Sequence, residues 1–360
     1  MRRMFTQAAA LILAVALLFP VPAGAISAQK AVLLDAGTQE VLYEKDAYSR
    51  SLVASCTKIM TALVVAEQCN VLDRVKIPKE AVGIEGSSMY LVEGEVLTVQ
   101  ELLYGLMLRS GNDAAVALAI YCGGTVELFA QLMNDKARVL GLKDTHFENP
   151  HGLDSPNHYS TARDLAVLAA YAMDNPIFRQ TVSTKQLRIG DRSLTNHNKL
   201  LWQVEGADGV KTGYTKAAGR ILVSSATRQG RRLICVTIND GNDWADHAKL
   251  IEEGFTRYCM KTIVHAGDIL GQVAVIGGQK GTVSLAAGAD YAHFLKEGEE
   301  PRILLSGSGF AYAPVVAGAS AGFAYVCVGE KVVGKIPLVY TQTVEMEIQK
   351  KENFWGRWFK

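Results

Sequence analysis

At 360 residues, 49% hydrophobic and 20% charged, the chain has ordinary globular composition and is too long for one small core, so two domains are expected. A formal net charge of +1 carries no mark of a nucleic-acid-binding protein, and no nucleic-acid partner is expected.

Residues 1–25 read as a secretory signal peptide. Arg2 and Arg3 precede an apolar run from Ala8 to Phe19, Pro20 and Pro22 break it, and Ala23-Gly24-Ala25 is an A-x-A cleavage site. An uncleaved anchor is the alternative, but the run is short for a membrane span. Export permits disulfides, and six cysteines are an even count. None forms a C-x-x-C pair, and most lie in apolar runs such as 233–236 and 325–328, so buried free thiols are expected. A Cys56–Cys69 bridge is disfavoured, because intervening helix would hold the two roughly 20 Å apart at ~1.5 Å per residue.

Ala31 to Glu44 reads as a hairpin about a Gly37-Thr38 turn. The next stretch, 53–65, reads as a helix with Ile59, Met60, Leu63 and Val64 apolar at helical spacing. Ser55 and Lys58 are three apart and so share one face. Ser55 is placed at the helix N-terminus, where backbone N–H groups and the dipole favour developing negative charge. The plain alternative is a serine that only caps the helix.

Thr98 to Leu108 is a second helix, opened by a Thr98/Glu101 capping box and stopped at Ser110-Gly111-Asn112. Helices follow at Asp113 to Tyr121, Val126 to Leu140 and Thr161 to Met173, with an irregular stretch from Gly141 to Tyr159. Val182 to Thr195 alternates like a strand. Gly209 to Thr215, Arg220 to Ala226 and Arg232 to Asn239 read as consecutive strands, and Ala245 to Tyr258 as a closing helix. A strand pair, a helical block, then strands and a helix suggest an antiparallel sheet covered by helices, an α/β (α+β) arrangement. Residues 263–345 are rich in Gly and Val, with turn pairs at Gly267-Asp268, Gly277-Gly278, Gly298-Glu299 and Gly329-Glu330, the pattern of a small all-β domain. In 346–360, Phe354, Trp355, Trp358 and Phe359 share a face if helical, ringed by lysines and Arg357, and read as an amphipathic membrane-surface tail. A tail packed on the β domain, or a frayed one, is the alternative.

Two further short motifs give Ser55 and Lys58 their weight. Ser110-Gly111-Asn112 sits between helices, and Lys211-Thr212-Gly213 on a strand. The order S-x-x-K, S-x-N, K-T-G is the signature of penicillin-recognising serine enzymes. The surroundings 57–63, 102–108, 110–119, 149–154, 198–201 and 208–215 closely resemble the serine-type D-alanyl-D-alanine carboxypeptidases, the low-molecular-weight penicillin-binding proteins. The resemblance is dense over about 30–260. It departs at Cys56, where relatives usually carry methionine, and at Val53, which replaces a common proline.

That resemblance implies a β-lactamase/transpeptidase-like catalytic domain at 26–260, followed by the β domain and the tail. It implies removal of the terminal D-alanine from peptidoglycan stem pentapeptides, acylation by β-lactams, no cofactor, and a place on the outer face of the cytoplasmic membrane. Ser55 would be the nucleophile and Lys58 its base, made neutral by burial and by the nearby cation Lys211. Ser110 would relay a proton, and Asn112 would hold Lys58 and the substrate amide. Lys211, Thr212 and Thr215 would meet the substrate carboxylate, Gly213 would keep the strand edge open, and the N–H groups of Ser55 and Tyr214 would form the oxyanion hole. No basic residue in 239–246 offers a further carboxylate contact, so that role is unassigned. His146, His151 and His158 fit no zinc spacing, and no metal is expected; His151 reads as a structural residue bordering the cleft.

Two readings compete. A β-lactamase-like hydrolase would need a deacylating base, yet no E-x-x-L-N segment follows Asn112, and Glu148-Asn149-Pro150 only echoes one. A catalytically silent β-lactam sensor or wall-binding protein is the non-enzymatic alternative, against which stands the presence of every motif residue.

Overall fold

The structure, a computed structural model, describes residues 26–348 and divides into two units, one running to Gly254 and one from Phe255. The expected leader and the aromatic residues of the expected tail lie outside the described residues.

In the first unit, β1 (Lys30–Asp35) and β2 (Val41–Lys45) form the expected hairpin. Its turn is held by Asp35, whose Oδ1 accepts from the N–H groups of Gly37 and Thr38 at 3.0 and 3.1 Å. A 3-10 turn, Ala54–Thr57, leads into α1 (Lys58–Gln68). The short strands β3 (Arg74–Lys76) and β4 (Val96–Thr98) pair with one another and bracket a long loop. Helix α2 (Val99–Leu108) opens with the Thr98/Glu101 capping box, and α3 (Asn112–Gly123), α4 (Val126–Val139) and α5 (Ala162–Asp174) complete the helical block.

The stretch expected to alternate as strand from Val182 divides differently. Asn175 accepts from the N–H groups of Ile177 and Phe178 and starts a further helix, α6 (Pro176–Ser183), with proline at its first position. That start signal outweighs the β-branched Thr181 and Val182. Only then come β5 (Gln186–Ile189) and β6 (Arg192–Thr195), paired around Gly190 as a separate hairpin. After α7 (Leu200–Gln203), strands β7 (Ala207–Thr215), β8 (Gly219–Arg228) and β9 (Arg231–Ile238) and helix α8 (Asp243–Thr256) close the unit.

The sheet is antiparallel throughout, in the order β2-β1-β9-β8-β7. Period-two alternation decides its two faces. Val32, Leu34, Val223 and Val236 enter the main core with the helical block. The residues between them meet α8: a Cβ on Gly254 would lie 2.7 Å from both Leu33 and Leu233. His247 of α8 is fully buried between Ser224 and Thr237, with contacts of 2.6 and 3.0 Å. The result is three layers, with β7 at one edge of the sheet.

The second unit is all β from Tyr258, five residues earlier than its composition suggested. Two strands, Tyr258–Val264 and Tyr291–Lys296, pair with each other, and six more form an open sheet around Leu285, Ala324, Val326, Ile336 and Leu338. Gly267, Gly277, Gly298 and Gly329 all have positive φ, so each of the four expected turn pairs begins where a side chain would be strained. The thiols are not uniformly buried as expected: Cys56, Cys235 and Cys327 are, Cys69 and Cys122 are partly exposed, and Cys259 is exposed.

Candidate active site

Ser55 stands in the 3-10 turn just ahead of α1 rather than in the first turn of an α-helix. Ala54 before it has φ +45, a conformation disfavoured for a residue with a Cβ. Lys58 begins α1 and is fully buried. Its Nζ lies 3.0 Å from Ser55 Oγ, 2.7 Å from Asn112 Oδ1 and 2.5 Å from the carbonyl oxygen of His151. Two of these partners, the amide oxygen and the backbone carbonyl, can only accept. A neutral amine has two N–H donors and one lone pair. Those donors satisfy Asn112 and His151, and the lone pair is left to the one partner that can donate, the Ser55 hydroxyl. Burial, and then the charge of Lys211, hold the Lys58 amine well below the ordinary lysine range.

The acceptors are themselves held. Asn112, the first residue of α3, donates from Nδ2 to the Glu85 carbonyl at 2.5 Å, which fixes Oδ1 toward Lys58. Its neighbour Asp113 is buried and gathers the cleft loop, accepting from Ser88 Oγ and from the N–H groups of Met89 and Leu91. The His151 carbonyl is presented by a loop wound on Asn149, whose Oδ1 accepts from the N–H groups of His151 and Gly152 and whose Nδ2 donates to Leu153. Gly152 has φ +87, and a Cβ there would fall 1.8 Å from the Ala54 carbonyl. No other residue lets this loop lie against the Ser55 turn. Burial holds the His151 imidazole down to about 4, so the ring is neutral, and the residue meets Lys58 through its main chain.

The free edge of β7 supplies the other wall. A Cβ on Gly213 would come within 3.2 Å of Cys56 Sγ and 3.3 Å of the Ser55 nitrogen, so glycine sets how near the strand comes to the turn. Lys211 is buried, its Nζ donating to the Thr212 carbonyl at 2.7 Å, and burial lowers it to about 8, leaving it mostly cationic at neutral pH. Cys56 is fully buried with its Sγ 3.9 Å from the Lys211 carbonyl, and burial pushes the thiol up to about 12. It fills space behind the nucleophile as a neutral thiol.

A cleft of about 490 Å³ opens on Ser55, Ser87, Ser110, His197, Thr212, Gly213, Tyr214, Arg220, Ile221, Asp243 and Trp244. Ser55, Ser110, Thr212, Gly213 and Tyr214 thus share one wall system, with Lys58 and Asn112 beneath it. Thr215, expected at the substrate carboxylate, does not line the cleft. Its hydroxyl donates to Asp154 and accepts from the Ala218 N–H, holding the β7–β8 turn. Ser87, His197, Arg220, Ile221, Asp243 and Trp244 are the lining residues that the motifs did not reveal. Arg220 pairs in register with Tyr214 across β7–β8, and Asp243 takes two of its N–H groups at 3.1 and 2.6 Å. Hairpin spacing about residues 216–218 was the signal that could have found it. Glu148 is not among the lining residues: it binds Ser155 and Asn157, which hold its carboxyl below the usual range.

A family model described as D-alanyl-D-alanine carboxypeptidase matches residues 19–242, and one described as the C-terminal domain of penicillin-binding protein 5 matches 258–346. The chain belongs to the D-alanyl-D-alanine carboxypeptidase family. The carboxypeptidase DacF of Bacillus subtilis is 34% identical over 286 residues, 76% of this chain and 74% of the relative. DacD of Escherichia coli is 36% identical over 290 residues, again 76% and 74%. Among solved structures, penicillin-binding protein 5 of Haemophilus influenzae matches with a TM-score of 0.70 and 31% identity, over 91% of this chain and all of that one. DacD of Francisella tularensis reaches a TM-score of 0.78 at 26% identity, covering 92% and 97%. The three-layer unit and the all-β unit of this carboxypeptidase are therefore those of its relatives.

Proposed function

We propose that the chain is a serine D-alanyl-D-alanine carboxypeptidase that forms its acyl-enzyme on Ser55, with Lys58 as the base. The observation that carries this is the Lys58 contact set: two acceptors, and one hydroxyl placed to donate to the lone pair. The Ser55 hydroxyl gives its proton to Lys58 as the oxygen adds to the penultimate D-alanine carbonyl. The N–H groups of Ser55 and Tyr214 stabilise the oxyanion, each donor worth about 3 kcal/mol in such sites. Ser110 passes the proton to the leaving amine, Asn112 orients Lys58 and the substrate amide, and Gly213 lets the substrate lie along the edge of β7. The leaving D-alanine carboxylate is met by Thr212 and Arg220, with Asp243 holding the guanidinium in place and the buried Lys211 cation adding positive charge behind them. Arg220 takes the carboxylate role that the sequence alone left unassigned, and Thr215 supports the turn behind it.

The substrate class is the D-Ala-D-Ala end of a peptidoglycan stem peptide, and β-lactams acylate the same serine as its mimics. A β-lactamase reading lacks a carboxylate base on the cleft wall, where the one carboxylate, Asp243, is paired with Arg220. The charged start, apolar run and A-x-A site of 1–25 support export, and the aromatic tail supports attachment to the outer face of the cytoplasmic membrane. The test is D-alanine release from a D-Ala-D-Ala-ended peptide by the wild type and Ser55→Ala. Release by the wild type alone is expected; equal release by both, or none, overturns the proposal.

A further inference from the structure

Helices α1 and α3 are joined at both ends. At the N-termini, Lys58 Nζ meets Asn112 Oδ1 at 2.7 Å. At the C-termini, Cys122 Sγ lies 4.0 Å from Gln68 Oε1, and Tyr121 donates to Asp73 at 2.8 Å. The helices therefore run in the same direction side by side. Cys69 is the residue after the 11 residues of α1, and Cys122 is the last but one of the 12 in α3. Each lies about three turns, roughly 16 Å, from the catalytic residue that starts its helix, so the two cysteines sit at one level. The two thiols are near enough to shift one another's acidity, Cys69 upward and Cys122 downward. Both pack against the main core yet remain partly open to solvent, unlike the buried Cys56, Cys235 and Cys327.

We propose that Cys69 and Cys122 are a disulfide-forming pair that closes in an oxidising compartment and clasps the far end of the two helices whose near ends hold Lys58 and Asn112. That the pair meets such a compartment rests on the export reading. Cys69 holds the Cys122 thiol below its ordinary range and is itself held up by Cys122 and by burial, so Cys122 attacks first. The oxidant is a disulfide, either an exported dithiol oxidase in its disulfide form or oxidised glutathione. The Cys122 sulfur bonds to one oxidant sulfur and expels the other as a thiolate. Cys69, its proton lost to solvent, then attacks the Cys122 sulfur and expels the second. One disulfide is reduced to two thiols, and the two cysteine thiols become one disulfide.

The test uses purified protein equilibrated with oxidised and reduced glutathione, alkylated and digested without reduction. A linked Cys69–Cys122 peptide, about 2 Da lighter than the two reduced peptides together, is expected at near-full occupancy. The oxidised protein is expected to melt about 5–10 °C above the reduced one, a difference that Cys69→Ser and Cys122→Ser abolish and Cys259→Ser retains. Covalent labelling by a fluorescent penicillin shows that each variant is folded. Free thiols at both positions, glutathione adducts alone, or a link from either cysteine to a third, would each overturn the proposal. Because this uses purified protein, it does not depend on the leader. N-terminal sequencing of the protein recovered outside the cell tests export separately, and failure there removes the compartment without touching the pair.

Discussion

Lys58 is the residue on which the chemistry turns. A buried ammonium with no carboxylate against it is costly, and the neighbouring Lys211 adds to that cost, so the amine holds its proton far less tightly than an exposed lysine does. Ser55, Lys58, Ser110, Asn112 and Lys211 to Tyr214 were legible because each motif keeps its chemistry within a few neighbouring residues. Other parts of the site were not. The His151 carbonyl could belong to any residue, and only the folded loop brings it to Lys58. Arg220 reaches the cleft through strand register, which a linear motif does not record. Its role gives a measurable consequence: Arg220→Gln should lower kcat/KM on a D-Ala-D-Ala peptide about 10–100-fold, chiefly by raising KM, as expected for a lost charge-assisted bond to a carboxylate. An unchanged KM would remove Arg220 from the carboxylate site.

At the scale of elements, close approaches and buried polar groups fix the layers. Gly152→Ala should cost several kcal/mol and abolish penicillin labelling, since the new Cβ meets the Ala54 carbonyl at 1.8 Å and displaces the loop that holds Lys58. Gly230→Ala is the control: its φ is +81 but nothing lies within 4 Å of the new Cβ, so only about 1–2 kcal/mol of backbone strain is expected, with labelling intact. Urea midpoints measure both. His247 ties α8 to β8 and β9, and burial holds its imidazole down to about 3. Its folded pKa lies below the unfolded value of about 6.5, so the unfolded chain takes up the proton first. The stability is fully present above about pH 6.5 and is lost as pH falls toward 3, on the order of 3 kcal/mol by about pH 4. His247→Gln should lower the urea midpoint at neutral pH yet flatten its fall between about pH 6.5 and 4; an unchanged slope would assign the acid sensitivity elsewhere. The helices were legible from their caps and apolar spacing. Helix α6 was not, because its eight residues carry too little periodicity against two β-branched neighbours, and Asn175-Pro176 was the signal to weigh.

For the molecule as a whole, every lining residue of the cleft comes from the first unit, between Ser55 and Trp244, with Thr212, Gly213 and Tyr214 on the edge strand β7. That arrangement was legible as a strand pair, helices, then strands, and the second unit as glycine turns separating short strands. The proposed chemistry rests on a serine activated by a neutral lysine. The most direct measurement is the rate of benzylpenicillin acylation as a function of pH, with the adduct located by peptide mapping. The expected result is an adduct on Ser55, full speed at neutral pH, a decline on the acid side as Lys58 gains its proton, and a second decline above about pH 8 as Lys211 loses its own. An adduct on another residue, or a rate that rises only above about pH 10 as for an ordinary lysine, would contradict it.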